Sequence, residues 1–241
     1  PAEENHLPYD VVIQTIRTGE PEPPTPSHDP EPPQPEAGNF RITDTHLGEG
    51  GPKEKFRRNV EAIRTLKQIE AEGRGATPAE QEVLSRYVGW GGLPDAFDAG
   101  KEEWSQEYQE LKGLLTDTEY AAARASTLSA YYTSPTIVNA VYEALGNLGF
   151  QKGNILEPAC GVGNFFGLLP EAMAGSKLYG VELDSISGRI ATLLYPDANI
   201  LVRGFEKAHF PDGFFDAAIG NVPFGGYSLV VSRYEKQHFF V

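Results

Sequence analysis

Two short segments contain residue types that suit the binding of a small polar ligand. The first, EPACGVGN at 157–164, follows a short apolar run and precedes a predicted helix. Its glycines Gly161 and Gly163 permit a tight turn and close approach of a ligand to the backbone. The helix start that follows offers free N–H groups, which suit a carboxylate or a phosphate. The third glycine of the dinucleotide fingerprint is missing, and so is the Gly-Lys-Ser/Thr of a P-loop.

The second segment, GVELD at 180–184, ends another apolar run with two acids. Glu182 follows Glu157 by 25 residues, close to the spacing of about 20 at which an acid accepts hydrogen bonds from ribose hydroxyls in a doubly wound fold. Leu183 beside it is suited to cover one face of an adenine ring. We predict that Asp184 caps the next helix. The alternative is that Glu182 also serves only as a cap.

A third segment, IGNVPFGG at 219–226, combines an amide, a proline and an aromatic ring directly after the hydrophobic run FFDAA. Asn221 offers an amide oxygen, Pro223 fixes the backbone, and Phe224 offers a flat face. The segment is therefore either a simple turn at a strand end or a place where these three groups meet to do chemistry.

The elements around these segments alternate between strands and helices. Apolar strand patterns near 154–157, 177–184, 198–205 and 213–219 are separated by helical patterns, including one over 135–148. Such alternation predicts an α/β fold with a parallel sheet covered on both faces. Sheets of this kind bind ligands beyond the carboxyl ends of their strands, at the switch point.

Residues 40–128 are predicted to be mostly helical. Apolar residues recur every three or four positions over 52–72, and capping boxes at 77–80 and 116–119 begin helices that run to about Val88 and Ala125. Trp90, in the glycine-rich YVGWGGL, is predicted to pack the helical part rather than to bind a base or a peptide. Tyr131 and Tyr132 are predicted to line the core and a cofactor pocket.

Residues 1–39 differ in composition from the rest of the chain. They contain eight acids and one base, and residues 21–36 include eight prolines. Proline lacks a backbone donor and fixes φ, so we predict an extended, largely disordered acidic linker; a proline-rich recognition peptide is the alternative. The net charge of −14 gives no general electrostatic footprint for nucleic acid.

The single cysteine, and the lack of a signal sequence or a long apolar run, favour a cytoplasmic protein without membrane association. The chain begins with Pro and ends in the apolar KQHFFV, so we expect it to be part of a longer protein.

Taken in order, YYTSP, LEPACGVGNF, GVELD and GNVPF resemble the motifs of an S-adenosylmethionine-dependent DNA methyltransferase of the adenine-N6 type with the γ arrangement. The resemblance covers residues 129–241. It implies the N-terminal part of a truncated catalytic domain, with about four strands of a Rossmann-like doubly wound sheet out of seven. The segments HLGEGG and YVGWGGL look like the large methylase–helicase proteins of bacterial mobile elements and phages, a context that includes restriction-modification.

The resemblance assigns roles residue by residue. Thr133 matches the threonine that holds the methionine carboxylate of S-adenosylmethionine, and Glu182 and Leu183 match the ribose acid and the adenine contact. The loop that wraps the methionine part is matched by Glu157, Ala159, Gly161 and Gly163. Asn221, Pro223 and Phe224 match the catalytic Asn-Pro-Pro-Tyr/Phe motif.

Two positions depart from the family pattern. Val222 replaces the first proline of the catalytic motif, and Phe205 replaces the aspartate of the third cofactor motif, with Glu206 directly after it. Glu206 is retained as a candidate that binds the adenine amino group of the cofactor. Valine can substitute because the role implied at that position, a carbonyl acceptor, belongs to the backbone.

The chemistry implied is direct methyl transfer to an amino group. Asn221 Oδ1 and the Val222 carbonyl would accept from the amine and stabilise the developing charge, while Phe224 stacks on a flipped base. No metal and no covalent nucleophile are expected. Cys160 is predicted to pack within the cofactor loop.

Three alternatives remain open at this stage. Related motifs serve methylation of cytosine N4 or of a protein glutamine amide, and Val222 together with the acidic balance is compatible with a non-catalytic scaffold of a mobile-element helicase protein. DNA contacts are expected mainly outside residues 1–241, in a C-terminal target-recognition region and a helicase region. Because the resemblance implies seven strands and only about four are present, the strand near 214–219 would have a bare hydrophobic edge. We therefore expect residues 1–241 alone to aggregate or to lack turnover.

Overall fold

The computed structural model describes residues 37–128 and 132–221. The predicted linker up to residue 36 lies outside the described residues. So do Tyr131 and three residues of the catalytic motif, Val222, Pro223 and Phe224.

Four parallel strands form one sheet. They are β1 (Asn154–Glu157), β2 (Lys177–Glu182), β3 (Asn199–Val202) and β4 (Ala217–Ala218), and their spatial order is β3-β2-β1-β4. Ile155 pairs in register with Leu178 on one side and with Ala217 on the other. The α/β prediction is confirmed, and the order 3-2-1-4 is that of a partial Rossmann-like doubly wound sheet. The order reverses between β1 and β4, which makes the space beyond their carboxyl ends the switch point.

Seven α-helices and five 3₁₀ turns lie in the described ranges. The helices are α1 (Pro52–Glu72), α2 (Pro78–Leu84), α3 (Ser105–Leu114), α4 (Asp117–Ala125), α5 (Pro135–Asn147), α6 (Asn164–Gly167) and α7 (Ser185–Leu194). The 3₁₀ turns are Pro94–Phe97, Glu102–Trp104, Ser126–Leu128, Glu171–Met173 and Phe205–Lys207. The helical character predicted for 40–128 is confirmed. None of the described helices is long and apolar enough to cross a membrane.

Several helix boundaries follow the local signals in the sequence. Helix α1 has Pro52 in its first turn and ends at Gly73, which adopts a left-handed conformation at φ 64° and donates its N–H to Glu70 O. The capping boxes of Thr77 with Glu80 and of Thr116 with Glu119 are both formed.

Two local predictions are wrong. Helix α2 ends at Leu84 rather than near Val88, because the buried Asn59 side chain accepts from Val88 N at 2.9 Å and donates to Gly89 O at 2.6 Å. Helix α6 has only four residues, too few aligned peptide dipoles for the anion site expected at its start.

Trp90 lies at the centre of the helical region, as predicted. It is 1% exposed and makes edge-on contacts with Phe56, Tyr87 and Phe97. The same hydrophobic core continues into the α/β part through residues such as Ile155 of β1 and Ile190 of α7. The domain boundary proposed near residue 128 stays a prediction.

Backbone and ionic contacts join the helical region to the α/β part. Phe40 N donates to Leu194 O at 2.7 Å, and Ile42 N donates to Gly167 O at 2.9 Å. Arg189 of α7 binds Glu70 through two nitrogens and Glu119 through a third. These contacts place the helical region directly against α7, the helix that follows Glu182.

Candidate active site at the strand ends

The turn after β1 is fixed by glycines and by a buried thiol. Gly161 and Gly163 have φ of 55° and 84°, and a Cβ at Gly163 would lie 2.5 Å from Tyr195 Cε2. Cys160 N donates to Val181 O at 3.0 Å, and a Cβ at Gly180 would lie 2.8 Å from Cys160 Sγ. Cys160 is 4% exposed, so it packs inside the loop as predicted, and this burial raises the pKa of its thiol well above its usual value.

Glu157, the last residue of β1, is a buried acid with an oxygen that lacks a hydrogen-bond partner among the described residues. Its side chain is 3% exposed, and its Oε2 has no hydrogen-bond partner among the described residues. Burial, and then the nearby charge of Glu182, raise the pKa of Glu157 well above its usual value. A buried polar atom left unsatisfied is costly, and it marks Glu157 as a candidate ligand-binding group.

Glu182 ends β2 as an acid whose two oxygens are both engaged. Its Oε2 accepts from Gly161 N and its Oε1 from Asp184 N, each at 2.7 Å. Burial raises the pKa of Glu182 although these backbone hydrogen bonds oppose the shift. Each oxygen retains a second lone pair, so the ribose role stays available to this acid.

The two residues after Glu182 are an exposed leucine, Leu183, and the helix cap Asp184. Leu183 is 77% exposed, an unusual environment for a leucine beside a cluster of polar groups. Asp184 caps α7 by accepting from Ser187 N at 2.8 Å, which confirms its predicted role.

The YYTSP segment contacts the same loop from the other side. Thr133 O accepts from Asn164 Nδ2 at 3.2 Å, and the Thr133 side chain is partly exposed. The Tyr132 hydroxyl lies 2.9 Å from Ser187 Oγ, and the Tyr132 ring lies against Gly161. No spacing signal in the sequence points to Ser187, because it lies 55 positions from Tyr132 along the chain.

The segment that leads to Asn221 also reaches the loop. Ile219 N donates to Leu156 O at 2.9 Å. A Cβ at Gly220 would lie 3.4 Å from Glu157 Cγ and 3.6 Å from Pro158 Cδ, and the next residue, Asn221, is exposed. The structure therefore brings the start of the Asn-Val-Pro-Phe motif beside the loop.

Of the remaining candidates, Ala159 lies in the loop between Glu157 and Gly161, whereas Glu206 stands apart. Glu206 lies exposed in the 3₁₀ turn after β3, with its carboxyl group folded over Gly204. None of the hydrogen bonds found within residues 37–128 and 132–221 joins it to the loop. Across these same ranges, no group of three or more His, Cys, Asp or Glu side chains is placed to hold a metal ion.

The fold is that of a partial doubly wound α/β protein, and the cluster of acids and glycines at its switch point is a candidate ligand site. The chain is 30% identical over 182 residues to the "Defense against restriction protein B" of Escherichia phage P1, covering 74% of this chain and 6% of that protein. It is 35% identical over 97 residues to the type II methyltransferase M.CvrRI of Paramecium bursaria Chlorella virus XZ-6E, covering 39% of this chain and 24% of that enzyme.

These similarities relate the chain in sequence to a methyltransferase and to a phage protein named for defence against restriction. The chain spans less than a quarter of the length of either relative. No protein-family description matches the chain. No solved structure matches it either.

Proposed function

We propose that this chain carries the cofactor-binding part and the first catalytic residues of an enzyme that transfers a methyl group from S-adenosylmethionine to adenine N6 in DNA. The single observation that supports this most is the closeness of Gly220 to the loop at the switch point, because a Cβ added at Gly220 would lie 3.4 Å from Glu157 Cγ. Asn221 is the next residue in the chain. The similarity to a type II methyltransferase supports methyl transfer in general.

The residues present fit this cofactor. S-adenosylmethionine supplies an electrophilic methyl group, and its amino-acid part carries an ammonium that suits the unsatisfied Oε2 of Glu157. Glu182 lies at the end of the adjacent strand, where ribose hydroxyls are bound in doubly wound folds, and the exposed Leu183 beside it offers an apolar surface to the adenine ring. Thr133, Ala159, Gly161 and Gly163 complete this binding set, and Glu206 remains its outlying member.

Asn221 would orient the acceptor. Its Oδ1 accepts a hydrogen bond from the target amino group, so that the nitrogen lone pair faces the methyl group and the charge that develops is stabilised. The sequence places a carbonyl at Val222 and an aromatic ring at Phe224 as the second acceptor and the stacking surface for a flipped base.

The proposal is tested by replacing Asn221 in the longest polypeptide that its gene encodes, because residues 1–241 alone are expected to lack turnover. Asn221→Ala is expected to lower methyl transfer about 100-fold or more while S-adenosylmethionine binding, measured by calorimetry, is unchanged. Asn221→Asp keeps an acceptor oxygen and is the matched variant, expected to retain more turnover.

Product analysis decides the acceptor. After incubation with labelled cofactor, mass spectrometry of nucleosides and peptides distinguishes N6-methyladenine, N4-methylcytosine and methylated glutamine. Label found only in protein would overturn the DNA assignment. Failure of the long polypeptide to bind the cofactor would favour the non-catalytic scaffold.

A further inference from the structure

A closed set of contacts surrounds the cofactor loop, and we call it the loop clamp. It consists of Gly161, Glu182, Asp184, Ser187 and Tyr132. Gly161 N donates to Glu182, and Asp184 N donates to the other oxygen of the same carboxylate. Asp184 Oδ2 then accepts from both Ser187 N and Ser187 Oγ.

Tyr132 closes the loop clamp. The Ser187 hydroxyl has one hydrogen, which it donates to Asp184 Oδ2 at 2.6 Å. The 2.9 Å contact between Ser187 Oγ and the Tyr132 hydroxyl must then be donated by Tyr132. The ring of the same tyrosine lies on Gly161, where an added Cβ would be 2.8 Å from Tyr132 Cε1.

Tyr87 connects the loop clamp to the helical region. It is 2% exposed, and its ring meets the Tyr132 ring edge-on with centroids 6.3 Å apart. On its other side Tyr87 meets Trp90, also edge-on at 6.3 Å. Burial raises the pKa of both Tyr87 and Tyr132 well above the usual value, so both hydroxyls remain protonated donors at neutral pH.

We propose that Tyr132, held in place by Tyr87 of the helical region, is a positioning residue that keeps Gly161 and the cofactor loop in the binding conformation. The helical region then sets the affinity of the α/β part for its cofactor without touching it. This inference rests on the proposed function only for the identity of the ligand. The role of Tyr132 in ordering the loop stands on the contacts of the loop clamp alone.

The first test removes only the hydroxyl. Tyr132→Phe is expected to weaken S-adenosylmethionine binding about fivefold and to raise KM for the cofactor while kcat is nearly unchanged. Tyr120→Phe is the matched control, because the Tyr120 hydroxyl also reaches one acceptor, Phe97 O at 3.5 Å, inside the helical core. Equal binding by both variants would overturn the proposal.

The second test asks whether the helical region transmits the effect. Tyr87→Leu removes the ring that supports Tyr132, whereas Tyr120→Leu removes a buried ring that contacts Phe97 and Tyr108 instead. Both variants are expected to lower stability, but only Tyr87→Leu is expected to weaken cofactor binding. If affinity follows thermal stability equally in the two variants, Tyr87 has a purely structural role and the proposal is wrong.

A third measurement needs no cofactor. Hydrogen exchange of the amides in 160–163 is expected to accelerate in Tyr132→Phe and in Ser187→Ala, and the double variant is expected to add little to either. If wild-type protein binds no S-adenosylmethionine, the proposed function fails, and this exchange measurement still decides the role of Tyr132. Unchanged exchange in Tyr132→Phe would overturn the inference by itself.

Discussion

Two acids of the helical region, Glu119 and Glu80, have lowered pKa values, whereas two acids at the strand ends have raised ones. In the helical region Glu119 accepts from Thr116 N, Lys67 and Arg189. Burial alone would raise its pKa, but these hydrogen bonds outweigh it and lower the pKa of Glu119 to about 2. The pKa of Glu80 is also lowered to about 2, mainly because its side chain accepts hydrogen bonds from Arg74. At the strand ends burial raises the pKa of both Glu157 and Glu182.

The direction of the pKa shift separates acids that are paired within the fold, which we call structural acids, from acids that are available to a ligand. Glu119 has cationic and backbone partners within the chain, so its charge is already stabilised. Glu157 has an oxygen with no partner within residues 37–128 and 132–221 and lies beside a second acid, so its charged form gains most from a partner supplied from outside. Substitutions at Glu119, Gly161 and Glu157 test this difference.

The largest effect is expected at Glu119. Glu119→Ala removes a helix cap and leaves Lys67 and Arg189 without their shared partner, which should lower the free energy of unfolding by about 2–3 kcal/mol at pH 7. Asp117→Ala, an exposed acid in the first turn of the same helix, should cost only about 0.5 kcal/mol. Urea unfolding of both variants measures the difference, and equal losses would mean that Glu119 is not a structural acid.

The next effect is expected at Gly161. Gly161→Ala places a Cβ at a φ of 55° and 2.8 Å from the Tyr132 ring, and we expect a loss of about 2 kcal/mol. Gly73→Ala has a similar φ of 64° but nothing within 4 Å, and it should lose about 1 kcal/mol. Thermal or urea unfolding compares them. A larger loss for Gly73→Ala would contradict the close contact at the loop.

The smallest change is expected for Glu157→Gln, and it is a gain of stability rather than a loss. Because its pKa is raised in the folded state, its contribution to stability is complete below about pH 4.5 and is lost as pH rises through the folded pKa. Glu157→Gln should therefore match the wild type near pH 4 and exceed it by about 0.5–1 kcal/mol near pH 8.

The pH series has its own controls. Glu171→Gln, at an exposed position, is the control for the substitution itself. Glu119→Gln should show the reverse profile, losing most stability at neutral pH and least near pH 2, since the pKa of Glu119 is lowered. A Glu157→Gln profile parallel to the wild type would remove the distinction between the two groups of acids.

Sequence patterns predicted much of the local structure because the signals are local. Helix α1 and the caps at Thr77 and Thr116 follow from residues within one helical turn of each boundary. The end of α2 did not follow, because the residue that stops it, Asn59, is 29 positions away from Val88. Similarly, α6 carries a helix-like sequence, yet the chain leaves it after four residues.

The candidate site was predicted in part for the same reason. The strand-end acids and the glycine turn are recognisable from order and spacing, and the structure shows Gly161 bound to Glu182 and Gly220 beside Glu157. The partners Ser187 and Tyr87 come from other elements and have no spacing signal. The expected role of Glu206 gains no support from its exposed position.

Hydrophobic period, turn chemistry and motif order depend on neighbours along the chain, so the α/β class, the strand-end motifs and the candidate residues are predictable from the sequence. Among the described residues, the tertiary structure shows that both oxygens of Glu182 accept hydrogen bonds, whereas Glu157 Oε2 has no partner. It also shows that Tyr87 of the helical region packs edge-on against Tyr132, whose ring lies on Gly161. Burial and hydrogen bonding depend on residues far apart in sequence, and these distant contacts distinguish Glu157 from Glu182.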